Sequence, residues 1–359
     1  MKVYFDNSIF EIQKYGGVST YFYNLIQILR KYNINVKVFS GFSINSCFHN
    51  NDLDIHNIHL EEYPKYYVKI IKSLNKFNNF FFTKLYKPTV YHQTYYQNFP
   101  LFLEKKCQKI ITIHDLIYEK NPNQFNYKEL LIKKKKAIKS ADKIICVSQA
   151  TKDDFLKFYP VKKKIFVIHH GSDHLNKNTV NNFITRKNSF ILFVGNRNRH
   201  KNFINFLYAY KMSKNIFNNI KIICFGGGLF SKDEFEIFNK FKIKPAFINN
   251  IQGNKETLSS LYKTASCLIY PSTDEGFGLP LLEAMSFGCP VLTSKIKPMI
   301  EIANDAALYF DPWDCSNISI VLEKSFEMDL TKLITNGYNN IKNFSWDKCA
   351  KLTIEAYKK

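Results

Sequence analysis

No stretch of the chain reaches the ~18 uncharged apolar residues that a membrane-spanning helix needs, so no transmembrane span is expected. The opening Met-Lys-Val-Tyr-Phe-Asp meets an acid at Asp6 and has no apolar core, so no secretion signal is expected either. None of the eight cysteines forms a Cys-x-x-Cys pair, and Cys146, Cys224 and Cys267 sit inside apolar, strand-like runs. They read as reduced, buried thiols of a cytoplasmic protein, which argues against a disulfide scaffold or a thiolate metal site. Arginine is scarce: of 51 basic residues 47 are lysine and four are arginine. The net charge of +21 therefore reflects a lysine-rich composition rather than an Arg-lined groove, and no nucleic-acid partner is expected. An anionic ligand or an anionic membrane surface would still feel that charge. Glycine is thinly spread, four of 13 lying before residue 172 and nine after. The triple Gly226-Gly227-Gly228 lacks the Gly-x-Gly-x-x-Gly spacing of nicotinamide-binding turns.

What is present is ample apolar material in a chain of 359 residues, including 33 Phe, which suits two domains rather than one. Strand-like runs at Lys2–Asp6, Asn35–Ser40, Thr89–Gln93, Lys109–His114, Asp142–Ser148 and Lys164–His169 alternate with helical spacing such as Phe22, Leu25, Ile26 and Leu29. A polar, Asn-rich stretch follows, and the alternation resumes at Phe190. This predicts two doubly wound α/β domains with mostly parallel sheets. The expected boundaries are 1–172, a linker at 173–189, a second domain over 190–340, and a C-terminal helical segment, 341–359.

The most informative stretch runs from Tyr270 to Ser294. A strand (Cys267–Tyr270) stops at Pro271, a glycine-bearing loop follows, and a helix begins near Pro280, where proline misses no hydrogen bond. A helix N-terminus after such a loop is an anion site, because free N–H groups and the dipole point the same way. Gly276 and Gly278 allow that backbone to approach a ligand. Glu275 and Glu283 bracket the loop, eight residues apart. A second loop, Gly195 to Asn202, holds Arg197 and Arg199, two of the four arginines, although lysine is the default base here. Arginine grips phosphate oxygens with a planar fork that lysine cannot copy. Near the N-terminus, Gly16-Gly17 lies between the first strand and a helix. His114 and Asp115 stand at the C-terminal end of a buried strand, where α/β sheets place ligand-binding residues.

These elements resemble the retaining nucleotide-sugar glycosyltransferases of family 4, with their Glu-x7-Glu signature and GT-B architecture: two Rossmann-like domains, the first on the acceptor side and the second binding the donor. The resemblance covers nearly the whole chain and implies that the C-terminal helical segment, 341–359, packs back on the first domain. It implies that Glu275 contacts the donor sugar and that Glu283 holds the nucleotide ribose. Arg197 and Lys201 would neutralise the diphosphate, Gly16 and Gly17 would face it, and His114 would reach the transferred sugar. Catalytic roles are thus expected for Glu275, His114, Arg197 and Lys201. Donor contacts are expected for Gly16, Gly17, Gly276, Phe277, Gly278, Leu279 and Glu283. The implied reaction moves a hexose, of mannose type and from a GDP donor, to a saccharide or lipid-linked acceptor, with no metal and no cofactor. An epimerase or phosphorylase on the same fold, or a non-catalytic carbohydrate-binding relative, are the alternatives.

Three further features call for an account. Tyr63 to Lys87 holds six Lys, no acid, and aromatics at helical spacing. It reads either as a core-packing helix with a solvated Lys face or as a surface lying on an anionic membrane. Lys133 to Lys136 reads as the solvated face of a basic helix. His169-His170 is rejected as a metal site, since neighbouring strand side chains point to opposite faces.

Overall fold

The computed structural model describes residues 1–38, 41–46, 57–122, 127–172, 190–197 and 199–359. They form two compact units, one of Met1–Gly171 with Trp346–Lys359 and one of Ser172–Ser345. The expected linker, 173–189, lies outside the described residues, as do the last two residues of the expected strand at 35–40.

In the first unit the strands are β1 (Lys2–Phe5), β2 (Asn35–Val38), β3 (Gly41–Ser43), β4 (Asn57–His59), β5 (Val90–Gln93), β6 (Gln108–Ile113), β7 (Lys143–Cys146) and β8 (Lys164–Val167). Six make one parallel sheet in the order β2-β1-β5-β6-β7-β8, and β3 pairs with β4 apart from it. Both faces of that sheet are covered, as its near-continuous apolar strands require. Val3 and Phe5 of β1 enter one core cluster and Tyr4 the other; Ile110 and Ile111 of β6 divide the same way. Strand order reverses between β1 and β5, where buried Asp6 accepts from Ser8 N (2.9 Å) and Thr94 Oγ1 (2.7 Å) and ties the two strand ends together. A short helix, Ser8–Ile12, stands in what the sequence reads as loop. The returning C-terminal element is the helix Trp346–Lys358. It joins this core through Cys349, Ala350 and Tyr357, whose hydroxyl lies 2.7 Å from His92 Nδ1. Ile341–Ser345, expected with that segment, belongs to the second unit, where Phe344 packs on Phe277.

Two expectations are corrected here. Lys134 is not on a solvated face: within the helix Lys128–Ser140 it is 1% exposed, pairs with Glu119 at 2.6 Å and donates to the carbonyl of Asp115. A core-packing helix with a solvated Lys face describes 63–87 only in part: all six lysines are exposed, and Val68, Phe82 and Tyr86 are half-buried beside Ile71. The helix Val68–Tyr86 forms, but its buried residues are Ile71, Asn75 and Thr83, while Phe77 and Phe81 are exposed.

The second unit carries β9 (Phe190–Val194), β10 (Lys221–Phe225), β11 (Ile248–Ile251), β12 (Cys267–Tyr270), β13 (Val291–Ser294) and β14 (Ala307–Phe310). They form one parallel sheet ordered β11-β10-β9-β12-β13-β14. The chain moves outward from β9 to β11, then returns to start β12 on the other side of β9. Open α/β sheets bind ligands at the carboxyl ends of the strands flanking such a reversal. Here those ends carry the Gly195 loop and the Glu275 loop. Phe193, Phe203, Phe206 and Tyr210 fill the core beneath.

Candidate active site

The loop after β9 ends in a single 3-10 turn, Arg199–Lys201, and Asn202 then takes a left-handed conformation (φ 59°) before the helix Phe203–Met212. Asn202 donates through Nδ2 to the carbonyl of Pro312 at 2.7 Å. The loop after β12 is fastened to this turn, the N–H of Thr273 donating to the carbonyl of His200 at 2.7 Å. That clasp sets Lys201 against Glu275.

Lys201 Nζ donates to Glu275 Oε1 at 2.5 Å and to Tyr270 Oη at 2.9 Å. Tyr270 in turn donates to the same carboxylate oxygen at 2.8 Å, and the ammonium lies 5.0 Å from its ring centroid. Both partners are largely withdrawn from water. Burial alone would lower the Lys201 pKa, but the Glu275 charge and the Tyr270 contact outweigh it and hold the ammonium above the ordinary lysine value. Burial likewise pushes Glu275 up, and Lys201 more than reverses this, so the carboxylate stays ionised. The result is a charged pair held in place at the strand reversal.

Glu283 stands in the helix Leu279–Ser286 and accepts from Tyr262 Oη at 3.0 Å. The two carboxylates of the signature are thus each held by a buried tyrosine, Glu275 by Tyr270 and Glu283 by Tyr262. Nothing in the sequence reading assigned either. Tyr270 was legible as the last residue of its strand, beside the loop it serves; Tyr262 gave no local signal.

Gly278 begins the helix at φ 97°, and a Cβ there would stand 2.8 Å from Met299 Cε. The left-handed backbone therefore favours glycine here, and a larger residue would also have to shift the Met299 methyl. Leu279 opens the helix, half-buried, and Gly276 is buried in the loop. The Phe277 ring is buried against Phe344, at 6.1 Å between centroids, so this side chain packs the core and does not point to a ligand.

Arg197 departs from expectation. Its guanidinium is 4% exposed and turned into its own unit, with Nε donating to Glu234 Oε1 at 2.5 Å. It also donates to the carbonyls of Gly226 (3.0 Å), Gly228 (3.0 Å) and Leu229 (2.9 Å), and lies over the Phe230 ring. A guanidinium so occupied holds the triple-glycine turn rather than a phosphate. Gly227 sits so close, at φ 72°, that a Cβ would stand 2.9 Å from the Gly195 carbonyl and 3.0 Å from the guanidinium. Glu234 completes the clamp as the N3 residue of a capping box with Ser231.

Gly16, Gly17 and His114 belong to the first unit. Gly16 precedes the helix Gly17–Lys31, but the Gln13 side chain reaches over it and accepts the Ser19 N–H at 3.1 Å. One donor of that helix end is therefore already engaged. His114 follows β6, its ring edge-on to Tyr21 (5.3 Å) and Phe22 (5.7 Å) and 5.8 Å from His170. Burial, helped by the Lys134 charge, lowers its pKa to about 3, so the imidazole is neutral. It suits a hydrogen bond to a sugar hydroxyl and not the donation of a proton.

Among the described residues no group of three or more His, Cys, Asp or Glu is disposed to hold a metal, and no helix is long and apolar enough to cross a membrane. The one Asp-x-Asp spacing of the sequence, Asp52-Leu53-Asp54, lies outside the described residues.

Residues 15–174 match the family model Glycosyltransferase Family 4, and residues 176–338 match Glycosyl transferases group 1. The chain is 32% identical over 215 residues to the O-antigen chain mannosyltransferase RfbU of Salmonella typhimurium, covering 57% of each chain. It is 44% identical over 105 residues to O-antigen chain mannosyltransferase B of Escherichia coli, covering 29% of this chain and 28% of that one. The matches thus span from a quarter to just over half of these relatives. In fold it is similar to the sucrose-phosphate synthase of Thermosynechococcus elongatus, with a TM-score of 0.76, 18% identity and coverage of 99% and 98%. These GT-B structures share its pair of parallel sheets. The chain belongs to the group 1, family 4 glycosyltransferases.

Proposed function

We propose that the protein transfers a hexose, of mannose type, from a nucleoside diphosphate sugar to a saccharide or lipid-linked glycan acceptor, with retained configuration and without a metal. The carrying observation is the part-buried Lys201–Glu275–Tyr270 cluster at the strand reversal of the second unit. Its position is where a doubly wound sheet presents ligand-binding groups, and its charge pattern suits the reaction. As the anomeric bond breaks, negative charge gathers on the leaving diphosphate and positive charge on the sugar. Lys201 and the helix end after Gly278 face the first; Glu275 offsets the second. One preorganised group of this kind is worth ~3–4 kcal/mol in the barrier. Glu283 is assigned to the ribose hydroxyls. Mannose is favoured because the two relatives compared above are named mannosyltransferases, and GDP is the nucleotide expected with it.

Thermal-shift titration with UDP, GDP, ADP and dTDP tests the donor. GDP should stabilise the protein most, and EDTA should change neither that shift nor transfer. No shift with any of the four would refute the donor assignment.

A further inference from the structure

The helix Val68–Tyr86 packs inward through a mixed face: Ile71 is buried and Val68, Phe82 and Tyr86 are half-buried, while Asn75, 1% exposed, accepts from Phe42 N and donates to Phe42 O, both at 2.8 Å, and Asn79 accepts from Tyr4 Oη (2.6 Å) and donates to Tyr91 Oη (3.2 Å). Its outer side carries an apolar stripe among lysines. Ile70, Leu74, Phe77, Phe81 and Leu85 recur at steps of four, three, four and four, one stripe on a 3.6-residue helix, and all five are exposed. Phe77, 64% exposed, stacks on Phe81. A contiguous exposed apolar stripe marks a surface that another phase or partner covers.

Charge identifies the occupant. Lys65, Lys69, Lys72, Lys76, Lys84 and Lys87 lie in the same segment, with no Asp or Glu between residues 63 and 87. Phe80 packs edge-on against Phe102 at 4.4 Å, which brings the fully exposed Leu101 beside the helix. A second copy docked on this stripe would set the same lysines against each other. A surface of anionic lipid headgroups over acyl chains complements both the charge and the stripe.

We propose that this helix lies in the plane of an anionic lipid surface, its five apolar side chains at the acyl boundary and its lysines at the headgroups. It does not span, since lysines interrupt it throughout. The inference rests on the helix itself and not on the transferase reading.

Sedimentation of the full chain with phosphatidylcholine vesicles, with and without phosphatidylglycerol, tests it. The bound fraction should rise at least tenfold with the anionic lipid and fall again at high salt. Phe77→Ser with Phe81→Ser should lose that gain. Lys69→Glu with Lys76→Glu should reduce it by roughly fivefold or more per site. Circular dichroism and GDP binding should be unchanged in both variants, which separates this inference from the donor assignment. Equal binding to both vesicle types, no binding to either, or unaltered binding by the folded variants overturns it. So does a dimer, seen by analytical ultracentrifugation, that the Phe variant abolishes without any dependence on lipid.

Discussion

At the scale of single residues, the decisive relation is between a lysine and a glutamate that keep each other charged in a place short of water. Lys201 is raised above 10.5 and Glu275 lowered below 4.5, so the pair contributes stability between those values. That contribution is lost as pH falls through the lowered Glu275 value or rises through the raised Lys201 value. Arg197 uses the same physics for another end. It is buried with Glu234, and removing one member of a buried pair leaves the other charge uncompensated. Arg197→Ala should therefore destabilise the protein by ~3–5 kcal/mol in urea unfolding, while Arg197→Met with Glu234→Met should recover most of that loss. A folded Arg197→Ala with unchanged stability and no donor binding would restore the phosphate role. The sequence could show that an arginine in a lysine-rich chain has a specific partner. It could not show that the partner was Glu234, 37 residues on and reached only after the turn at Gly226 forms.

At the scale of elements, two loops meet because two strands are neighbours. The strand Cys267–Tyr270, the glycine loop and the helix at Pro280 were legible, since each boundary carries its own punctuation in proline or glycine. The meeting of Lys201 with Glu275 was not, because it depends on β9 and β12 being adjacent across 74 residues of chain. The helix Val68–Tyr86 was legible as a helix but not in its orientation, because Asn75 and Asn79 find partners in Phe42, Tyr4 and Tyr91 that no local pattern reveals. Gly278 supplies the element-scale prediction. Gly278→Ala must adopt φ near 97° and displace Met299, so it should cost about 1–3 kcal/mol in stability. It should also weaken GDP binding, read by calorimetry, through displacement of the helix end. Unchanged affinity would detach that helix end from the donor.

At the scale of the molecule, the first unit is built around neutral imidazoles. Burial lowers His92 and His114 to about 3 and holds His170 well below the ordinary imidazole value, while burial raises Glu11 to about 7. Between pH 6.5 and 4.5 unfolding therefore takes up three protons at the histidines and releases one at Glu11, leaving two taken up. Stability should fall as pH drops through that window, by up to about 3 kcal/mol per pH unit. Urea midpoints measured from pH 7.5 to 4.5 check this; a flat profile would mean the histidines are protonated in the folded state. Phe and Ile patterning made the two sheets legible. The return of Trp346–Lys358 to the first unit rests on Tyr357 and His92, 265 residues apart, and only the general resemblance suggested it.

The central claim is tested most directly by following labelled mannose from GDP-mannose to a glycan acceptor with the wild-type chain and with Glu275→Gln. That change keeps the side chain's shape and removes its charge. The account predicts an α-linked product from the wild type, matching the α-configured donor, and turnover lower by ~10²–10³-fold in the variant at unchanged GDP affinity. A variant that turns over within a few-fold of wild type would contradict it.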